Sequence, residues 1–99
     1  MNVNVTKNDN VAVVAVEGRL DTISAPQLEE KITALGDDVK ELTLDLSKME
    51  YTSSAGLRVI LGAQKKMNKQ GSMKVTGVCD DVMEIFEMTG FSEILTIEN

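Results

Sequence analysis

The chain has 99 residues, 42% of them hydrophobic and 26% charged, the proportions of one soluble domain with a single core. Ten basic against sixteen acidic side chains leave a formal charge of −6, a poor match to nucleic acid or an anionic membrane. No stretch approaches the roughly 18 apolar residues of a membrane span, and the first ten residues lack a signal peptide's basic and apolar regions, so a cytoplasmic protein is expected.

Val3-Asn4-Val5-Thr6 alternates apolar and polar residues, as a half-buried strand does. Lys7-Asn8-Asp9-Asn10 is turn chemistry, and Val11 to Val16 is a β-branched run, so the two segments predict an antiparallel hairpin. Gly18 to Ile23 then reads as a loop. Ser24 with Gln27 three residues on has the pattern of a capping box, and Pro26 suits the first turn of a helix. Ala25, Leu28, Ile32 and Leu35 recur at helical spacing up to a stop at Gly36. Leu42, Leu44 and Leu46 predict a third strand. A second helix is expected from Ser54 to Gln70, stopped by Gly71, with Leu57, Ile60, Leu61, Gln64 and Met67 on its core side. Met73 to Val78 reads as a fourth strand. Asp81 with Glu84 suggests the cap of a third helix that carries Val82, Ile85 and Phe86 and ends at Gly90. Ile94, Leu95 and Ile97 form a last edge strand or a packed tail.

That order predicts a single α/β domain over residues 1–99. It has a mixed four- to five-stranded sheet, an N-terminal antiparallel hairpin, βαβ crossovers and about three helices. Strands joined through a helix run parallel with right-handed crossovers. The loops Gly18 to Ile23, Lys48 to Ser53 and Gly77 to Asp80 are then expected at one end of the sheet, where α/β proteins usually place their ligands and partners.

The side-chain inventory narrows the chemistry. There is no histidine, and the one cysteine, Cys79, forms neither an internal disulfide nor a multi-cysteine metal site. Aromatic content is 3%, too low for stacking on single strands of nucleic acid. No catalytic residue, metal ligand set or cofactor is expected, and a binding module is favoured over an enzyme. A serine nucleophile at Ser53 or Ser54 lacks a histidine, a Gly-x-Ser-x-Gly elbow and a Ser-x-x-Lys partner. The glycines match no nucleotide-binding motif.

Tyr51-Thr52-Ser53-Ser54-Ala55-Gly56-Leu57 places three hydroxyls at a helix start. Capping accounts for such residues. A helix N-terminus also tolerates a phosphate, so capping and modification are compatible there. From Tyr51 through Cys79 there is no Asp or Glu, yet Arg58, Lys65, Lys66, Lys69 and Lys74 all fall inside. At about 100° per residue Ser54, Arg58, Gly62, Lys65 and Lys69 share one side of the second helix. That stripe reads either as a solvated face or as a docking strip on which Gly62 lets another helix approach closely.

These residues resemble the STAS domain, specifically the bacterial anti-sigma factor antagonists, over essentially the whole chain. Glu17-Gly18-Arg19-Leu20-Asp21 with the following helix is similar to the family's Gly-x-Leu-Asp loop. Leu44-Asp45-Leu46-Ser47 followed by Tyr51 to Leu57 is similar to its signature strand and phosphorylation loop, and Val82 to Gly90 to its third helix. The resemblance implies partner switching. The unmodified antagonist binds an anti-sigma factor that is also a serine kinase, and this frees the sigma factor for transcription. Phosphorylation releases the partner, and a metal-dependent serine phosphatase restores binding. Aligned on Gly56-Leu57, the modified serine falls on Ser54, with Ser53 the alternative because it stands where the family commonly has Asp. The implied partner-binding surface is centred on Ser54 and takes in Thr52, Ser53, Gly56 and Arg58. It extends to Gly62 and Lys65 along the helix and to Asp21 and Thr22 at the same sheet end. A STAS scaffold or transporter-associated module, with Ser54 serving only as a cap, is the alternative.

Overall fold

Alternating side chains and glycine-punctuated helices fold as one sheet under one layer of helices. A computed structural model describes residues 1–99. The elements are β1 (Asn2–Asn8), β2 (Val11–Leu20), α1 (Ala25–Thr33), β3 (Glu41–Thr52), α2 (Ser54–Gln70), β4 (Ser72–Thr76), α3 (Asp80–Thr89), α4 (Phe91–Ile94) and β5 (Ile97–Glu98). The strands lie in the order β1-β2-β3-β4-β5, with β1 antiparallel to β2 and every later pair parallel. The hairpin turns at Asp9, whose φ of 55° lies in the left-handed region that aspartate tolerates.

Three successive crossovers stepping the same way across a sheet place their helices on one face when each is right-handed. Burial follows that rule. Ala12, Val14, Val16, Leu42, Leu44, Leu46, Met73 and Val75 point under the helices and are buried, whereas Val13, Ala15, Thr43 and Asp45 alternate with them and stay half-exposed. Phe86 and Val82 of α3 join the same core, and Phe86 stacks 6.4 Å from Phe91 of α4. The expected α/β class and N-terminal hairpin are present, with five strands and a fourth, single-turn helix. No helix is long and apolar enough to cross a membrane.

Strand lengths differ from the sequence expectation where it matters most. Gly18 to Leu20 belongs to β2, and Lys48 to Thr52 to β3, so the loops expected there are a paired ribbon. Two irregularities in β3 hide this. Ala15 pairs with Asp45 but Glu17 with Lys48, and Gly18 pairs with Met49 but Arg19 with Tyr51, so β3 twice carries an extra residue. Each bulge resets the alternation and breaks the period that marks a strand. Beyond the last β3–β4 pair, Asp45 with Thr76, the ribbon runs on by roughly 20 Å.

Smaller corrections have local causes. Strand β4 stops at Thr76 because Gly77, at φ 71°, turns the chain against Ser47. Cys79, not Asp81, occupies the N-cap of α3, and Asp80 and Asp81 lie in the first turn, where the helix dipole favours them. On α2, Leu61 is only half-buried, while Val59 and Ala63 are buried. Val59 and Ala63 line a groove shared with Ile32 of α1.

Candidate functional site

The ribbon of β2 and β3 delivers two chain segments to one tip. Leu20 pairs with Thr52, and the Ser53 N–H donates to the Leu20 carbonyl at 2.8 Å. The turn Asp21–Ser24 and the start of α2 therefore leave adjacent strands side by side. Arg19, just before the turn, places its guanidinium 4.4 Å from the centre of the Tyr51 ring.

The turn is closed by its own side chains. Asp21 Oδ1 accepts from the Ile23 N–H at 3.0 Å and the Ser24 N–H at 3.1 Å. Ser24 Oγ accepts from the Asp21 N–H at 2.9 Å and shares its one proton between the Arg19 carbonyl at 2.8 Å and Asp21 Oδ1 at 3.1 Å. Ser24 thus spends its hydroxyl inward, and the expected capping box with Gln27 does not form. The Ser24 N–H above all, then the Ser24 hydroxyl, the Ile23 N–H and the charge of Arg19, hold the Asp21 carboxyl below the usual carboxylate range. Thr22 is exposed, and Ile23 is 90% exposed.

At the start of α2 the adjacent serines do different things. Ser53 is the N-cap, in extended conformation, and its Oγ accepts from the Gly56 N–H at 3.4 Å. Ser54 is the first helical residue, is exposed, and its hydroxyl has no hydrogen-bond partner in the protein. The first N–H groups of a helix lack partners within it, and the dipole leaves partial positive charge beside the Ser54 hydroxyl. No acidic residue occupies that turn.

Two residues expected at the surface lie beneath it. Thr52 is 2% exposed and donates its hydroxyl to the Ser53 carbonyl at 3.2 Å. Gly56 is buried. A Cβ there would run into Thr52 Oγ1 and come within 2.7 Å of Leu20 Cγ, so only glycine lets α2 sit this close to the strand ends. Both residues position the tip and offer no side chain at its surface. Arg58, Gly62, Lys65 and Lys69 are exposed along α2, in line with Ser54. A groove of about 270 Å³ between α1 and α2 runs beside them, with Glu29 across from Arg58 and Lys66.

The third expected loop lies apart from Ser54. Cys79 Sγ approaches the Met49 carbonyl at 3.6 Å, and a shallow depression joins Cys79 and Asp81 to Glu17, Gly18 and Ser47 to Glu50. That depression flanks the ribbon, while Ser54 stands at its tip. Sequence reasoning missed Ile23 and the Arg19–Tyr51 stack. The signal for Ile23 was an apolar residue inside a turn, two places before the helical periodicity begins at Ala25.

The family profile of the STAS domain matches residues 2–99. An anti-sigma-B factor antagonist of Bacillus subtilis is 35% identical over 98 residues, covering 98% of this chain and 90% of that protein. An anti-sigma factor antagonist from Mycobacterium paratuberculosis has a solved structure that superposes with a TM-score of 0.87 at 29% identity, covering 97% of this chain and 83% of that one. The Bacillus cell fate determinant SpoIIAA in its phosphorylated form shares the fold, with a TM-score of 0.76 at 15% identity over 99% of this chain and 92% of that one. With nearly its whole length matched and the ribbon tip built as described, the chain belongs to the STAS domain family.

Proposed function

We propose that this protein is an anti-sigma factor antagonist whose unmodified form binds an anti-sigma factor with serine kinase activity, and that phosphorylation of Ser54 switches the binding off. The observation that carries this reading is the division of labour between two neighbouring serines. Ser53 holds the cap of α2, which leaves the exposed Ser54 hydroxyl free for an incoming phosphoryl group without uncapping the helix. The antagonist names of its relatives support the partner class.

The chain itself contributes an acceptor and no catalyst. The kinase positions ATP and its metal ion against Ser54. A bond forms between Ser54 Oγ and the γ-phosphorus as the bond to ADP breaks, and the hydroxyl proton passes to a base of the kinase. The product carries about −1.5 to −2 charges and three acceptor oxygens. In the free protein those oxygens meet the open end of α2, with Arg58 one turn on, so the fold is kept. In a desolvated interface the same charge costs several kcal/mol, which is orders of magnitude in affinity. A metal-dependent phosphatase returns the chain to its binding form.

The test uses immobilised Ser54→Ala protein to capture the partner from extract of the source cells, followed by purification of any captured protein that phosphorylates the parent chain. Addition of ATP releases that partner from the parent and leaves it on Ser54→Ala. Release from both, or from neither, contradicts the reading.

A further inference from the structure

Among the large apolar side chains Ile23 stands out at 90% exposure, ahead of Met88 at 79% and Ile94 at 50%. A single exposed hydrophobe needs no explanation on its own. Two features set this one apart. Its backbone is pinned, with its own N–H held by Asp21 and the following residue, Ser24, tied into the same knot. A β-branched side chain on a fixed backbone has little rotamer freedom left to lose on binding. It also stands at the ribbon tip, on the turn that leaves β2 beside the start of α2.

The second observation is the charge along α2. Arg58, Lys65 and Lys69 are exposed, and the one ion pair in the molecule, Lys7 with Asp38 at 2.8 Å, lies elsewhere. Glu29 faces Arg58 across the α1–α2 groove without forming an ion pair. None of the stripe's cations is ion-paired, although Asp37 shares a surface depression with Lys69, and Ser54 stands at the head of the stripe. A surface complementary to this arrangement has an apolar socket beside a ridge of carboxylates.

The geometry points to a two-part grip on the anti-sigma partner: Ile23 inserts into an apolar socket, and the Arg58–Lys65–Lys69 stripe lies along an acidic ridge. This inference rests on the proposed function and adds the chemistry of the partner's face. The knob supplies an attraction that salt does not screen and that governs dissociation. The stripe supplies a salt-dependent attraction that governs encounter. A phosphate on Ser54 then acts on the second part. It faces the acidic ridge directly and draws Arg58 to itself, so the affinity gap between unmodified and phosphorylated protein narrows as salt rises.

The test measures binding of the purified anti-sigma partner to the parent, Ile23→Ala and the double variant Lys65→Ala/Lys69→Ala, at about 50 mM and about 500 mM salt, where the Debye length falls from roughly 14 Å to 4 Å. All three substituted positions are exposed, and unchanged melting temperatures verify the fold. Ile23→Ala weakens binding about 10- to 100-fold at both salt concentrations, through faster dissociation. The double variant weakens binding about tenfold at low salt, little at high salt, and flattens the salt dependence. Binding of Ile23→Ala within twofold of the parent, or an unaltered salt dependence in the double variant, overturns the inference while the switch at Ser54 still stands. A parent chain that binds no anti-sigma factor at all overturns both.

Discussion

The Ser53 amide donates to the Leu20 carbonyl at 2.8 Å, and through this one bond the last residue of β2 sets where α2 begins. Leu20 is fully buried, so the helix start is fixed to the core. The turn that carries Asp21, Thr22 and Ile23 grows from the same residue. A surface assembled from two distant pieces of chain thus has a single hinge point in the core, and substitutions near it separate structural from functional roles.

The two serines separate cleanly. Ser53→Ala removes the cap of α2 and costs about 1 kcal/mol, which lowers the melting temperature by roughly 4–8 °C. Ser54→Ala touches no hydrogen bond and shifts the melting temperature by no more than about 2–3 °C. Thermal denaturation followed by circular dichroism reads both. Equal destabilisation by the two substitutions contradicts the assignment of the cap to Ser53.

Gly56 and Gly62 lie nearly two turns apart on α2 and respond oppositely. At Gly56 an added methyl meets Thr52 and Leu20, both buried, so Gly56→Ala costs about 1–3 kcal/mol and loosens the tip. At Gly62 a Cβ meets nothing within 4 Å, so Gly62→Ala gains about 0.5–1 kcal/mol from helix propensity. Denaturant midpoints give the signs. If a partner helix approaches closely at Gly62, the same stabilising substitution weakens binding.

Acid stability follows from three carboxylates. Asp21 is held below the usual range chiefly by the Ser24 N–H, Asp38 by the Lys7 ammonium and Asp45 by the Ser47 N–H. A carboxyl with a lowered folded-state pKa binds fewer protons than the unfolded chain does. Its contribution is therefore complete above the ordinary aspartate pKa of about 3.9 and is lost as pH falls through the folded-state value. With no histidine, no side chain ordinarily changes charge between about pH 5 and 7. The melting temperature is expected to be flat over that interval and to fall only below about pH 4. A clear fall between pH 7 and pH 5 contradicts this.

A charge at the tip acts on binding rather than on folding. Ser54→Asp is expected to fold with a melting temperature within about 2–3 °C of the parent, because an acidic side chain is favourable in the first turn of a helix. Its affinity for the anti-sigma partner falls at least tenfold, as measured by calorimetry. If Ser54→Asp binds as tightly as the parent while Ser53→Asp does not, the modified residue is Ser53.

Much of the fold was legible because the periodic signals were undisturbed. The bounds of α2, Ser54 to Gln70, follow from an apolar stripe that ends at Gly71, and the hairpin follows from β-branched runs around Asp9-Asn10. The tip was harder to read. In β3 the buried positions run Leu42, Leu44, Leu46 and then Met49 and Thr52, and the break in period disguised a continuous strand as a loop. Thr52 and Gly56 carry the residue types of an exposed hydroxyl loop, and only the tertiary approach of α2 to Leu20 puts them inside. Ser24 has the spacing of a cap, but the nearby Asp21 and Arg19 compete for its hydroxyl.

The most direct test of the switch is to locate the phosphate after the parent chain has reacted with its anti-sigma partner and ATP. Trypsin cuts after Lys48 and Arg58, so the peptide Met49–Arg58 holds Tyr51, Thr52, Ser53 and Ser54 together, and fragmentation tells them apart. A single phosphate on Ser54, absent from Ser54→Ala, is the expected result. A phosphate on Ser53 or Thr52, or none anywhere in the chain, contradicts the account.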